Sequence, residues 1–266
     1  NADQKGAIAI GSYVNAETTL NPDGTVAVLP TGIYSTAVGG KSRASAENAT
    51  ALGTAAEASG VGATATGNKA KAKAQSASAY GDAAEATGVE STAIGYSNQA
   101  TAEKSTAMGN QSQATAMYAT AIGTKAHAYE ENSLAVGNLV SATGKQSTVV
   151  GYDGTASGEN SVSLGRSGRA LGDASYTMGY DTETSAKAAY AIGYQAKSSA
   201  KSAFAIGSLA NSAAANSMAI GMGATTNAQD ATSTYSYSGT GGAVGASGYN
   251  TETSTIHSGD GTNTAT

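Results

Sequence analysis

Apolar and polar residues alternate along this chain in short bursts, and the bursts return every 14 residues. Ser91-Thr92-Ala93-Ile94-Gly95 is one burst and Ser105-Thr106-Ala107-Met108-Gly109 is the next. Alternation of period two is the mark of a half-buried strand. Each burst closes on a glycine, at Gly39 and every fourteenth residue through Gly221. A shorter alternating stretch follows a few residues later, as in Asn98-Gln99-Ala100-Thr101. The pattern predicts two short strands per coil, with glycine at a corner where positive φ carries no steric penalty. A helix is excluded, because glycine at such density costs about 1 kcal/mol per occurrence and 14 does not fit a period of 3.6. Stacked coils form two parallel sheets with rungs about 4.8 Å apart, each rung touching mainly its neighbours. Fifteen or so such rungs make a rod about 70 Å long.

The beat breaks in two places. Gly11 lies 28 residues before Gly39, with Thr25 in the skipped place, and Pro22 and Pro30, the only two prolines, fall in that interval. An irregular coil or loop is expected near 18–34. After residue 228 the period is lost, and 229–266 is rich in Ser, Thr and Gly. That stretch reads as a degenerate tail, a cap or an inserted loop, leaving 1–228 as the repeat domain.

Within a coil, alternation separates the rows by face. Ile94 and Thr92 share one face of the first strand, and Ala93 and Ser91 share the other. The row four after the glycine varies freely (Arg43, Glu57, Lys71, Gln99, His127), so it is expected to face solvent. The first strands carry almost no charge on either face, and a sheet of that kind is covered on both. Two thin sheets cover only one face of each other, so another chain is needed. The aliphatic row Ile94, Met108, Ile122, Val136, Val150, Leu164, Ile192, Ile206 and Ile220 is expected to be the roll core. The small-residue row Ala93, Ala107, Ala121, Ala135, Ala191, Ala205 and Ala219 is expected to lie against a neighbouring chain. A closed cyclic oligomer is the natural way to satisfy that demand.

Composition narrows the picture. Thirty-five glycines, a single Phe and no Trp among 266 residues exclude a conventional thick core. A net charge of -5 gives no basis for binding nucleic acid. There is no Cys for disulfides or thiolate ligands. No run of 18 apolar residues is present to form a membrane-spanning helix. Beginning Asn1-Ala2-Asp3 without Met or a signal peptide, the chain is expected to be a piece of something longer.

The repeats Asn132-Ser133-Leu134-Ala135-Val136-Gly137 and Asn216-Ser217-Met218-Ala219-Ile220-Gly221, with the trailing half seen in Gly109-Asn110-Gln111-Ser112-Gln113-Ala114, resemble the head domain of trimeric autotransporter adhesins, the YadA-like head family. The resemblance covers about residues 6–228. It implies an all-β fold, a single-stranded left-handed parallel β-roll whose three copies pack around a threefold axis. It also implies a bacterial surface adhesin head, projecting from the outer membrane on a stalk and anchored only through C-terminal segments absent from this sequence. The partners implied are two further copies of the chain, and a host matrix protein, cell-surface protein or glycan bound multivalently. Neck and stalk motifs are not recognisable after Asn227.

Little in the chain suggests chemistry. The two histidines, His127 and His257, form no metal-ligand spacing. Asp82, Asp153 and Asp181 read as turn residues that cap the local backbone. No catalytic constellation, nucleotide loop or calcium repeat occurs, so no enzyme activity, cofactor or metal is expected. The candidate ligand-binding residues are a partial tyrosine row just after the glycine, Tyr96, Tyr152, Tyr180 and Tyr194, with Lys69, Lys125, Arg166 and Arg169 nearby. Aromatic residues also fill corners for purely structural reasons. Two other functions fit the pattern: an ice-binding solenoid, from the Thr row Thr36 to Thr120, and a structural spacer in a surface fibre.

Overall fold

A 14-residue coil is too short to enclose bulky side chains, and the fold follows from that limit. The computed structural model describes the backbone of residues 6–11, 19–20, 26–27, 32–227, 234–237 and 254–257, and side chains for 6–11 and 32–227. The described residues are all β, with no helix, and form a parallel β-solenoid. The chain divides into two units, Asn1–Asn132 and Ser133–Thr266.

In the first unit, strands such as Thr92–Tyr96 and Thr106–Asn110 pair parallel and in register, Thr92 with Thr106 and Ala93 with Ala107. The short second strands Gln99–Ala100 and Gln113–Ala114 do the same in a separate sheet. Strand amides donate to the next coil, as in Thr92 N–H to Ser105 O at 2.9 Å and Gln99 N–H to Ser112 O at 2.9 Å. The second unit repeats the scheme, from Leu134–Asn138 and Thr148–Tyr152 to Phe204–Ile206 and Met218–Ile220. In its last coils the first strand shortens to three residues. There the amide three residues past the glycine turns back onto the glycine carbonyl, as in Ala210 N–H to Gly207 O at 3.3 Å, and closes a β-turn in place of further ladder.

The doubled interval adds no rung. Ile8–Ile10 pairs directly with Thr36–Val38, and Thr19–Leu20 pairs antiparallel with Val26–Ala27. Proline lacks the donor that a rung requires, although Pro22 and Pro30 themselves lie outside the described residues. Most of 229–266 also lies outside them. Within that stretch Thr234–Tyr237 pairs antiparallel with Ser254–His257.

The interior is made almost wholly of methyl-sized groups. Ala93, Ala107, Ala121, Ala135, Ala191, Ala205 and Ala219 are all 0% exposed in the single chain, as are Ala100, Ala114 and Ala128 from the second strands. The expected division of rows is therefore inverted. The alanine row is the roll core and is closed to any neighbouring chain. Ile94, Met108, Ile122, Val136, Val150, Leu164, Ile192, Ile206 and Ile220 face outward, half-buried or exposed, and are not the core. The cause is width: among the described residues the largest side chains wholly enclosed are Val140, Val149 and Asn98. Where one interior residue grows, its partner shrinks. Val149 faces Gly154, at which a Cβ would come within 3.0 Å of Val149 Cγ1, and Ser163 faces Gly168 in the same way. Asn98 is held by its own hydrogen bonds: Nδ2 donates to the Ile94 and Gly109 carbonyls, and Oδ1 accepts from the Ser112 amide and hydroxyl, both at 2.8 Å.

The corners hold the other departure from expectation. The repeat glycine is needed for close approach as well as for φ: at Gly109 (φ +125°) a Cβ would lie 2.0 Å from the carbonyl oxygen of Gly123. The left-handed corners themselves fall elsewhere. From Tyr34 (φ 55°) through Leu209 (φ 60°) to Asn216 (φ 56°), every seventh residue is left-handed. Two such corners fall in each coil, and they are occupied by Lys, Glu, Tyr, Leu and Ala as readily as by Asn or Gly. The unfavourable conformation is over-determined by cross-coil bonds, as in Lys125 N–H to Asn110 O at 2.9 Å and Asp181 N–H to Arg166 O at 2.9 Å.

Candidate interaction surfaces

With the interior filled by alanine, whatever the chain recognises must be read from three outer surfaces. The first is the outward face of the long-strand sheet. In the first unit it carries Thr92, Thr106 and Thr120 beside Ile94, Met108 and Ile122. The Thr row is thus outward and half-buried, but among the described long strands Thr-x-Thr occurs only in Thr64–Thr66. In the second unit the threonine places hold larger groups. Tyr176, Tyr190 and Phe204 stack in series, with ring centroids 4.9 and 4.5 Å apart and planes within 4° and 2°. Beside them Met178 and Ile220 remain 50% and 45% exposed.

The second surface is the outward face of the short-strand sheet, four residues past the glycine. In the first unit its charges alternate along the stack. Lys71 and Glu85 approach to 4.0 Å, as do Lys73 and Glu57. Both pairs are about one-third open to solvent, so each contributes at most about 1 kcal/mol. The row continues to Gln113 and His127. Tyr129 bridges these two: its hydroxyl donates to Gln113 Oε1 at 2.9 Å and lies 2.7 Å from His127 Nδ1. Burial holds the His127 pKa below its ordinary 6.5, and the Lys125 charge adds to the effect.

The third surface is the flank at the glycine corner, which carries the four tyrosines expected to bind ligand. In the second unit three of them come together. Tyr152, Arg166 and Tyr180 are in register. The Arg166 guanidinium lies over both rings, 5.3 Å from the Tyr152 centroid and 5.4 Å from that of Tyr180. Tyr180 then stacks on Tyr194 at 5.3 Å. Tyr96 stands apart from this row: it belongs to the first unit, where its in-register neighbour is Asn110. The role of Arg166 as the filling of an aromatic sandwich was legible only as a spacing of 14 between Tyr152, Arg166 and Tyr180.

Beside this row runs a groove in two parts. A concavity of about 420 Å³ is lined by Asp153, Thr155, Ser167, Arg169 and Asp181. A second, of about 270 Å³, is lined by Asp181, Gln195, Lys197, Leu209, Ala210 and Asn211. Asp181 belongs to both, and it accepts a hydrogen bond from Gln195 Nε2 at 3.1 Å. Asp153, Asp181 and Gln195 are left-handed corner residues, each one position past a tyrosine of the stacked row.

Two sheets of in-register parallel strands, a methyl-filled interior and a glycine every 14 residues define a parallel β-solenoid. More narrowly, the chain belongs to the YadA head domain repeat family, whose two-copy repeat matches residues 31–56, 86–112, 114–139, 142–167, 185–210 and 201–224. No curated protein matches it. The family and the fold are those of a surface-exposed, adhesin-type structural domain.

Proposed function

We propose that this chain is the head of a homotrimeric bacterial adhesin, held out from the outer membrane, that attaches to host matrix or to other cells by multivalent binding. The observation that carries this reading is the uncovered apolar face of the long-strand sheet. Ile94, Met108, Ile192, Ile206 and Ile220 cannot enter the roll, and in each unit they leave an apolar row that a single chain covers only in part, with Met108, Ile192 and Ile220 exposed and Ile94 and Ile206 half-buried. Stripes of this kind mark sites of association. Two further copies, closed about a threefold axis, would cover it. This moves the expected interface from the alanine row to the aliphatic row. A trimer also presents each outer patch three times, which raises avidity when single contacts are weak.

Sedimentation equilibrium tests the assembly. The 25.8 kDa chain is expected to sediment as a trimer, and Ile94→Glu or Ile206→Glu to sediment as a folded monomer. Adhesion to immobilised matrix proteins and to cells is expected to fall by about 100-fold in the monomeric variants. A wild-type chain that stays monomeric at high concentration overturns the assembly. A trimer that adheres to neither matrix nor cells overturns the function and favours a spacer.

A further inference from the structure

We propose that the flank of the second unit, between the stacked tyrosine row and the outer row of the short strands, binds a linear uncharged polysaccharide laid along the stack of coils. The proposal rests on the attachment reading above and names the ligand class for one surface. The charges lining the groove cancel. Asp153 and Asp181 face Arg169 and Lys197, with Ser167, Gln195 and Asn211 between them. Among the described residues neither Arg169 nor Lys197 is in an ion pair. A sulfated or uronate polymer would meet the two carboxylates, and a basic peptide would meet the two cations. A sugar hydroxyl donates to one group and accepts from the other, so a neutral glycan satisfies both signs at once.

The groove is also periodic. Its two concavities are related by coils and share Asp181. Coils advance by about 4.8 Å, close to the length of one residue in an extended sugar chain. In a β-1,4 chain of this kind neighbouring sugars are flipped, so equivalent hydroxyls recur at every second sugar and meet every second rung, the spacing of Asp153 from Asp181 and of Arg169 from Lys197. Aromatic surface is available alongside. Tyr194 is 51% exposed and stacks on Tyr180 through one ring face. The next place in its row is the small residue Ser208, which leaves the other face able to pack against a pyranose ring.

The test is titration of the folded chain with cellohexaose, chitohexaose and mannohexaose, beside a heparin-derived hexasaccharide, followed by calorimetry or by NMR shifts of Gln195 and Asn211. We expect at least one neutral hexasaccharide to saturate, with its disaccharide about tenfold weaker. Tyr194→Ala and Asp181→Asn should each weaken binding by about tenfold or more. Tyr194→Phe, which keeps the ring, and Tyr96→Ala, in the other unit, should bind as wild type. The proposal is overturned if none of the neutral hexasaccharides saturates, if the heparin fragment binds more tightly than all of them, or if Tyr194→Ala and Asp181→Asn bind unchanged. Trimer adhesion that persists in Asp181→Asn while neutral-sugar binding is lost supports this site and assigns adhesion elsewhere. Saturable sugar binding in a chain that adheres to no cell or matrix supports the site and overturns only the attachment reading.

Discussion

The two units share one backbone and differ in what they hang on it. In the first, the outward face is threonine and aliphatic, and the opposite face alternates Arg43, Glu57, Lys71 and Glu85 along the rungs. In the second, stacked rings occupy the threonine places, and an arginine fills the gap between two tyrosines on the flank. Alanine and other small residues line both interiors. Room inside the coil dictates the interior rows, so they vary only where a neighbour compensates, as Gly154 does for Val149. The outer rows face no such limit, and the units have diverged there.

The sharpest way to break this comparison is to charge the interior of each unit. Ala107→Glu in the first and Ala205→Glu in the second each place a carboxylate where the native residue is 0% exposed. Neither site offers a cation or room for water, and the penalty is several kcal/mol. Both variants are expected to lose the cooperative unfolding transition followed by circular dichroism. If either unit accepts the glutamate at its native melting temperature, the two interiors are not equivalent.

That experiment bears on what could be read from the residues alone. The period, the two strands per coil and their parallel stacking follow from glycine spacing and alternation. Alternation also places Ala93 and Ile94 on opposite faces, but it does not say which face is inside. Hydrophobicity chose Ile94, and space chose Ala93. A usable signal was present: the row five past the glycine (Ala44, Ala58, Ala72) is as small as the alanine row. Two small rows facing each other fill a 14-residue coil. The left-handed corners had no such signal, because Lys104, Tyr118 and Leu209 adopt them as readily as Asn132. Tyr152, Tyr180 and Tyr194 were legible as a row, but the groove beside them depends on where Asp181 and Lys197 fall around the corner.

A smaller effect tests whether the outer rows differ in energy as well as in composition. Tyr190 stacks on Tyr176 and on Phe204, and each such pair contributes about 0.5–1.5 kcal/mol beyond simple burial. Tyr190→Ala should therefore destabilise the chain by about 1–3 kcal/mol in urea unfolding. The matching change in the first unit, Thr106→Ala, should stay within about 0.5 kcal/mol. Equal losses would mean that the aromatic stack adds nothing over threonine.

Acid should separate the units again. His127 is the one histidine whose side chain is described, and it lies in the first unit. Its pKa is lowered by burial and then by Lys125. The unfolded chain then binds the proton more readily than the folded one. The stability is complete above the unfolded pKa near 6.5 and is lost as pH falls toward the folded value. Melting temperatures measured from pH 8 to pH 5 should drop further in wild type than in His127→Gln. Identical slopes would show that the imidazole is free to charge in place.

The smallest change probes the one outer feature on which the units should agree. Ala55 in the first unit and Ala188 in the second are both left-handed corners, at φ 55° and 54°. An L-residue pays about 1–2 kcal/mol to sit there, whereas glycine does not but loses about 0.5–1 kcal/mol of chain entropy on folding. The difference favours glycine by up to about 1 kcal/mol. Ala55→Gly and Ala188→Gly should each raise the urea midpoint slightly and by the same amount, since the donor at each corner bonds the preceding coil in the same way, Ala55 to Gly40 O at 2.9 Å and Ala188 to Asp173 O at 2.8 Å. Ala55 lies two places past its repeat glycine and Ala188 nine, so a gain at one alone would mean that the two corners of the coil are not equivalent.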